Sequence, residues 1–115
     1  MTLWFIRGIR RGVVTTRYPA RPEESARYLP APPVFRPEAL SREVTNRVVA
    51  VCPSRALWLE EGRDRAVLVY DVGRCTACGR CVAAAPSAVS AGGEWELATM
   101  IRSVLIKRIP IGGAR

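Results

Sequence analysis

The chain has 115 residues, 49% of them apolar, and a formal charge of +8 from 18 basic and 10 acidic side chains. That length holds one small domain with a modest core, and that apolar fraction excludes general disorder. There is no His, so neither a Ser–His nor a Cys–His nucleophilic pair can be built, and catalysis by the side chains themselves is not expected.

Residues 1–16 have the pattern of a short amphipathic helix, with Phe5, Ile6, Ile9 and Val13 toward one side and Arg7, Arg10 and Arg11 on another. The arginines interrupt the apolar stretch where the core of a secretory signal would lie, so no signal peptide is expected. A chain this small needs outside support for Leu3, Trp4 and Phe5, which points to a docking helix against a membrane subunit or an anionic surface. The plainer reading is a terminal helix packed on its own domain. Residues 17–40 hold six of the nine prolines, Pro19, Pro22, Pro30, Pro32, Pro33 and Pro37. Each lacks an amide donor and fixes φ, which predicts an extended arm. The interspersed Tyr18, Tyr28, Leu29, Val34 and Phe35 suit an arm that lies along a surface better than a loose linker.

Residues 41–93 form the expected domain proper. Two strands, 56–60 and 66–70, flank a Glu61-Gly62-Arg63-Asp64-Arg65 turn and predict a hairpin. Farther on, Leu97, Met100, Ile101, Val104 and Leu105 recur at i, i+3, i+4, i+7 and i+8, which predicts a helix over 94–109. Pro110 and the Gly112-Gly113 pair would stop it, and residues 94–115 make a C-terminal helix and tail.

The chemistry lies in Cys75-Thr76-Ala77-Cys78-Gly79-Arg80-Cys81 and the distant Cys52-Pro53. Three cysteines at two-residue gaps wrap one corner of an iron–sulfur cube, and Cys52 is the one thiol left for the fourth iron. This follows the C-x₂-C-x₂-C-x₃-C-P rule, in which the last Cys of each run serves the other cluster. Zinc also takes four thiolates, but its sites usually pair two C-x₂-C knuckles. Without an expected signal peptide the chain is read as cytoplasmic, and disulfides suit neither that location nor the spacing.

An internal repeat with an offset of 33 residues sharpens the reading. Val49-Ala50-Val51-Cys52-Pro53-Ser54 aligns with Val82-Ala83-Ala84-Ala85-Pro86-Ser87, while Cys75, Cys78 and Cys81 align with Arg42, Thr45 and Val48. One half keeps the fourth Cys of its run and the other keeps the first three. Under crossed ligation those four make one complete ligand set, and Arg42, Thr45, Val48 and Ala85 stand where the ligands of a second cluster would be. Random loss rarely divides this way, and for zinc the crossing has no special meaning.

With these residues in view, the chain resembles the ferredoxin-like iron–sulfur subunit of formate hydrogenlyase and related membrane-bound [NiFe] hydrogenases, itself similar to the ferredoxin-like subunit of respiratory complex I. The likeness runs from Gly8-Ile9-Arg10-Arg11-Gly12-Val13-Val14-Thr15-Thr16-Arg17-Tyr18-Pro19 through Cys52-Pro53-Ser54-Arg55-Ala56-Leu57 to Gly73-Arg74-Cys75 and its run, and into Glu94-Trp95-Glu96-Leu97-Ala98. The Arg-Gly-x-x-Thr-Thr-x-Tyr-Pro opening narrows it to this family. The resemblance implies one [4Fe–4S] cluster on Cys52, Cys75, Cys78 and Cys81. It stops at Arg42, Thr45, Val48 and Ala85, so a second cluster is not implied. It further implies an electron relay between catalytic partner subunits at the cytoplasmic face of a membrane arm, within a hetero-oligomer.

The expectation is therefore an α+β, ferredoxin-like domain with two pseudo-symmetric halves, an N-terminal amphipathic helix, a Pro-rich arm and a C-terminal helix. Arg74 and Arg80 flank the ligands, and Gly79 permits close backbone approach to sulfur. Cationic neighbours and N–H···S bonds favour the reduced cluster and raise its potential; the plainer reading leaves both arginines solvated or bound to an acidic partner. A rival function is a scaffold subunit whose cluster only holds the domain together. Nucleic-acid binding through the 17 arginines has no aromatic–basic motif to support it, and the Arg-for-Lys usage is equally explained by a GC-rich genome.

Overall fold

Alternation of apolar residues forms the expected hairpin at the centre of the fold. The computed structural model describes residues 3–12, 15, 17–24, 28–62 and 65–112, and in it β2 (Leu57–Glu61) runs antiparallel to β3 (Ala66–Asp71). The register sets Leu57 opposite Tyr70 and Leu59 opposite Leu68, so these four share one face and turn it to the core. The turn closes where the Gly62 N–H donates to the Arg65 carbonyl at 3.1 Å. A Cβ on Gly62 would lie 2.5 Å from that oxygen, which explains the glycine. The inner turn residues Arg63 and Asp64 lie outside the described residues.

The C-terminal segment corrects the expectation of a helix over 94–109. Residues 91–99 have no regular structure, Arg102–Leu105 form a 3₁₀ turn, and Ile106–Pro110 form a strand, β5, on the free edge of β3. Without β5 that edge of β3 would leave its backbone donors and acceptors unpaired beside the core. Ile106 and Ile109 are β-branched and favour the strand. Pro110 is tolerated because β5 is itself an edge strand. The helical spacing of Leu97, Met100, Ile101, Val104 and Leu105 is not a packing stripe, because Met100 is fully exposed and Ile101 and Val104 are mostly so.

Two helices pack beside the sheets. In α2 (Arg42–Ala50), Ser41 is the N-cap and its Oγ accepts from the Val44 N–H at 3.2 Å. Glu43 and Arg47 pair one turn apart on the outer face at 2.9 Å, while Thr45 and Val48 face inward and are fully buried. The shorter α3 (Arg80–Ala84) begins at Gly79. A second, two-stranded sheet joins β1 (Val34–Phe35) antiparallel to β4 (Val89–Ser90), with Val34 opposite Ser90.

The Pro-rich arm lies along its own chain. Upstream of β1 it continues the antiparallel track past β4: Pro32 runs so close to Gly92 that a Cβ there would meet the Pro32 carbonyl at 2.0 Å. The Tyr18 ring, before a cis peptide bond to Pro19, packs on Trp95 at 5.4 Å. Its far end enters the core, where Phe35 and Leu40 are buried.

The architecture is thus mixed, helices against antiparallel sheets, of the α+β class. Its order β1–α2–β2 and β3–α3–β4 is a strand–helix–strand unit used twice, with the outer strands paired and the inner strands paired. The 33-residue offset holds in space, since Phe35 and Leu68 are both buried strand residues and Val48 and Cys81 are both buried helix residues. In front stands α1 (Leu3–Arg11), none of whose residues is buried; Val13, expected on its apolar side, lies outside the described residues. The chain measures 72 × 27 × 24 Å with a radius of gyration of 19.9 Å. A compact chain of this length would have about 13 Å, so the molecule is elongated. Among the described residues no helix is long and apolar enough to cross a membrane.

Candidate metal centre

The cysteine loop begins at a buried carboxylate. Asp71 ends β3, and its Oδ1 accepts from the Gly73 N–H at 3.0 Å, capping the 3₁₀ turn Val72–Arg74 that leads into Cys75. Its Oδ2 accepts from Arg102 Nη2 at 2.6 Å and lies 3.6 Å from Arg74 Nε. The Arg102 hydrogen bond, with help from the Gly73 amide and Arg74, holds the carboxyl below its usual range against the opposing effect of burial. Arg102 therefore clamps the start of the loop from the 3₁₀ turn, and Arg74, expected as a charge near the ligands, takes part in the same anchor.

Two residues with left-handed backbone then coil the loop, Ala77 at φ 51° and Gly79 at φ 74°. Gly79 is explained by that angle, since a Cβ there would meet no protein atom within 4 Å. Ala77 holds the same region without a glycine's freedom, a local strain of about 1–2 kcal/mol that the loop sustains between two cysteines. The coil returns Cys81 into the first turn of α3, where it is buried, and leaves Cys78 exposed.

Cys52 arrives from the other half. It follows the last turn of α2, and Arg55 at φ 50° bends the chain so that the Ala56 N–H donates to Cys52 Sγ at 3.3 Å. Ser54 Oγ stands 3.6 Å from the same sulfur. The Ala77 N–H likewise donates to Cys75 Sγ at 3.4 Å. Cys52, Cys75, Cys78 and Cys81 all line one cavity. Burial pushes the Cys81 thiol up, whereas the Arg80 backbone N–H draws the exposed Cys78 down.

Leu57, Ala56 and Tyr70 wall the cavity on the core side. Tyr70 is 2% exposed, and its ring packs edge-on against Phe35 at 5.2 Å. Its hydroxyl is the one buried side-chain oxygen or nitrogen among the described residues that makes no hydrogen bond. Burial, and then the neighbouring Cys75 sulfur, push the phenol well above its ordinary value. The sulfur is thus close enough to act on the hydroxyl, although the pair lacks hydrogen-bond geometry.

The four positions related to the cysteines by the repeat are filled differently. Arg42 forms an ion pair with Glu61 on the surface. The hydroxyl of Thr45 donates to the Ser41 carbonyl at 2.8 Å, and Val48 and Ala85 belong to the apolar core. Among the described residues no three His, Cys, Asp or Glu side chains converge closely enough to share a single metal ion; the thiols stand around the cavity instead. The donor set fits an iron–sulfur cluster: four soft sulfurs on one cavity, backbone amides already donating to two of them, and an unpartnered hydroxyl in the wall. The sequence pattern missed Tyr70 and Arg102, because Tyr70 reads as an ordinary strand aromatic and Arg102 falls within the expected helix. Comparison with known proteins finds no matching family model and no matching curated protein.

Proposed function

We propose that this cavity holds one [4Fe–4S] cluster on Cys52, Cys75, Cys78 and Cys81, and that the chain is an electron-transfer subunit of a membrane-associated, hydrogenase-like or complex I-like oxidoreductase, not an enzyme by itself. One observation carries the reading. Thiols from both halves of a structural repeat line a single cavity, while the four equivalent positions are absorbed by core packing and a surface ion pair. The doubled strand–helix–strand order with its paired outer and inner strands supports a ferredoxin-like fold.

When bound, such a cluster accepts and releases one electron at a potential set by its surroundings. The amides of Ala56 and Ala77 donate to Cys52 and Cys75, Asp71 with Arg102 anchors the loop, and exposed Cys78 leaves the rim open to a partner. The resemblance noted above supplies the partners: catalytic subunits and a membrane arm, met at the cytoplasmic face.

A second reading, a structural cluster in a scaffold subunit, is favoured by Leu57, Ala56, Tyr70 and Cys81, which belong at once to the core and to the cavity wall. A group bound there would support the fold whether or not it changes oxidation state. Freeze-quench EPR on the assembled complex separates the two. A relay predicts a signal that rises and decays within turnover; a signal unchanged while the complex turns over assigns the cluster to structure.

A further inference from the structure

The polar atom of the cavity wall that finds no hydrogen-bond partner among the described residues is the Tyr70 hydroxyl. The ring is held on three sides. Its backbone lies in β3, the middle strand, opposite Leu57 on one side and Lys107 on the other, and its edge meets Phe35. Phenylalanine would fill the same space without burying an unpaired O–H, so packing alone does not account for tyrosine. The same side chain lines the cavity that the four thiols share.

We propose that the Tyr70 hydroxyl is a built-in hydrogen-bond donor to a sulfur of this centre, on the Cys75 side, and that it raises the reduction potential of the cluster held there. The inference rests on the cluster reading given above. A buried donor aimed at sulfur favours the more negative, reduced state over the oxidised one, and hydrogen bonds to sulfur are among the determinants of iron–sulfur potentials. A tyrosine hydroxyl carries its proton at neutral pH, and this one is buried without a partner among the described residues, so it is available as a donor. Tyr70 is a positioning and tuning residue and not a ligand.

The test is Tyr70→Phe in the full chain, purified without oxygen beside the wild type. Iron and acid-labile sulfide per chain are measured first, then the midpoint potential by EPR-monitored titration. The expected result is wild-type iron content with the reduced state disfavoured about tenfold, which is about 59 mV lower for a one-electron couple. Wild-type iron with an unchanged potential overturns the inference and leaves the cluster reading intact. A wild type without iron overturns both. If Tyr70→Phe fails to retain iron, incorporation of 3,5-difluorotyrosine in the wild-type chain decides the matter, because a more acidic phenol donates more strongly. The potential then rises; no change overturns the inference.

Discussion

Asp71 joins the sheet to the cysteine loop, so its ionisation reports on how firmly Cys75 is held. With the folded carboxyl depressed chiefly by Arg102, its contribution to stability is present above the ordinary Asp value of 3.8 and is lost as the pH falls through the lower folded value. Asp71→Asn removes an acceptor from Arg102, and its cost is expected to be about 1–3 kcal/mol near neutral pH. The difference in melting temperature between wild type and variant is therefore large near neutrality and shrinks only as the pH falls below 3.8 and through the lower folded value. A constant difference across that range would contradict the ion-pair account. At the same scale the gathering of the four cysteines on one cavity was legible, because their type, spacing and repeat each group them together. Tyr70 was not, since its significance arises from a hydroxyl that three-dimensional packing leaves without a partner.

Among the elements, the hairpin was legible from alternation bounded by a glycine turn, whereas α2, capped by Ser41, was not read as a helix in the sequence. The 94–109 segment was misread because its spacing fits a helix on paper while β3 has an open edge that a strand satisfies. Local periodicity is a weak signal over so few turns, and a backbone edge beside a core is a strong demand. The strand predicts an order of effects that a helix would not. Ile109 packs against the core and Met100 is exposed, so Ile109→Ala lowers stability by about 1–2 kcal/mol, whereas Met100→Ala stays within about 0.5 kcal/mol. Thermal melts of the two variants check this, and the reverse order would argue for the helix. The turn before β5 also sets Arg102 on Asp71, so this element contributes to the site.

The whole molecule combines a small core with a long reach. Its α1 exposes Leu3, Trp4, Phe5, Ile6 and Ile9, and its charge is +8. A nine-residue helix with no buried side chain is marginal in water, so it needs a surface to form on. Hydrogen exchange is therefore expected to be fast in α1 of the isolated chain and slow in the complex proposed above. Strong protection in the isolated monomer would show that docking is the wrong account. The exposure of α1 and of Cys78 at the cavity rim supports the proposal of a subunit within a larger assembly.

The central claim is that the four cysteines hold one cluster. Its most direct test is iron and acid-labile sulfide per chain in anaerobically purified protein, with EPR before and after dithionite. The account predicts about four irons and four sulfides per chain and a signal that appears on reduction. It also predicts loss of that stoichiometry in Cys52→Ser, whose ligand comes from the other half of the repeat. Stoichiometric zinc, or no metal even after reconstitution with iron and sulfide, would contradict it.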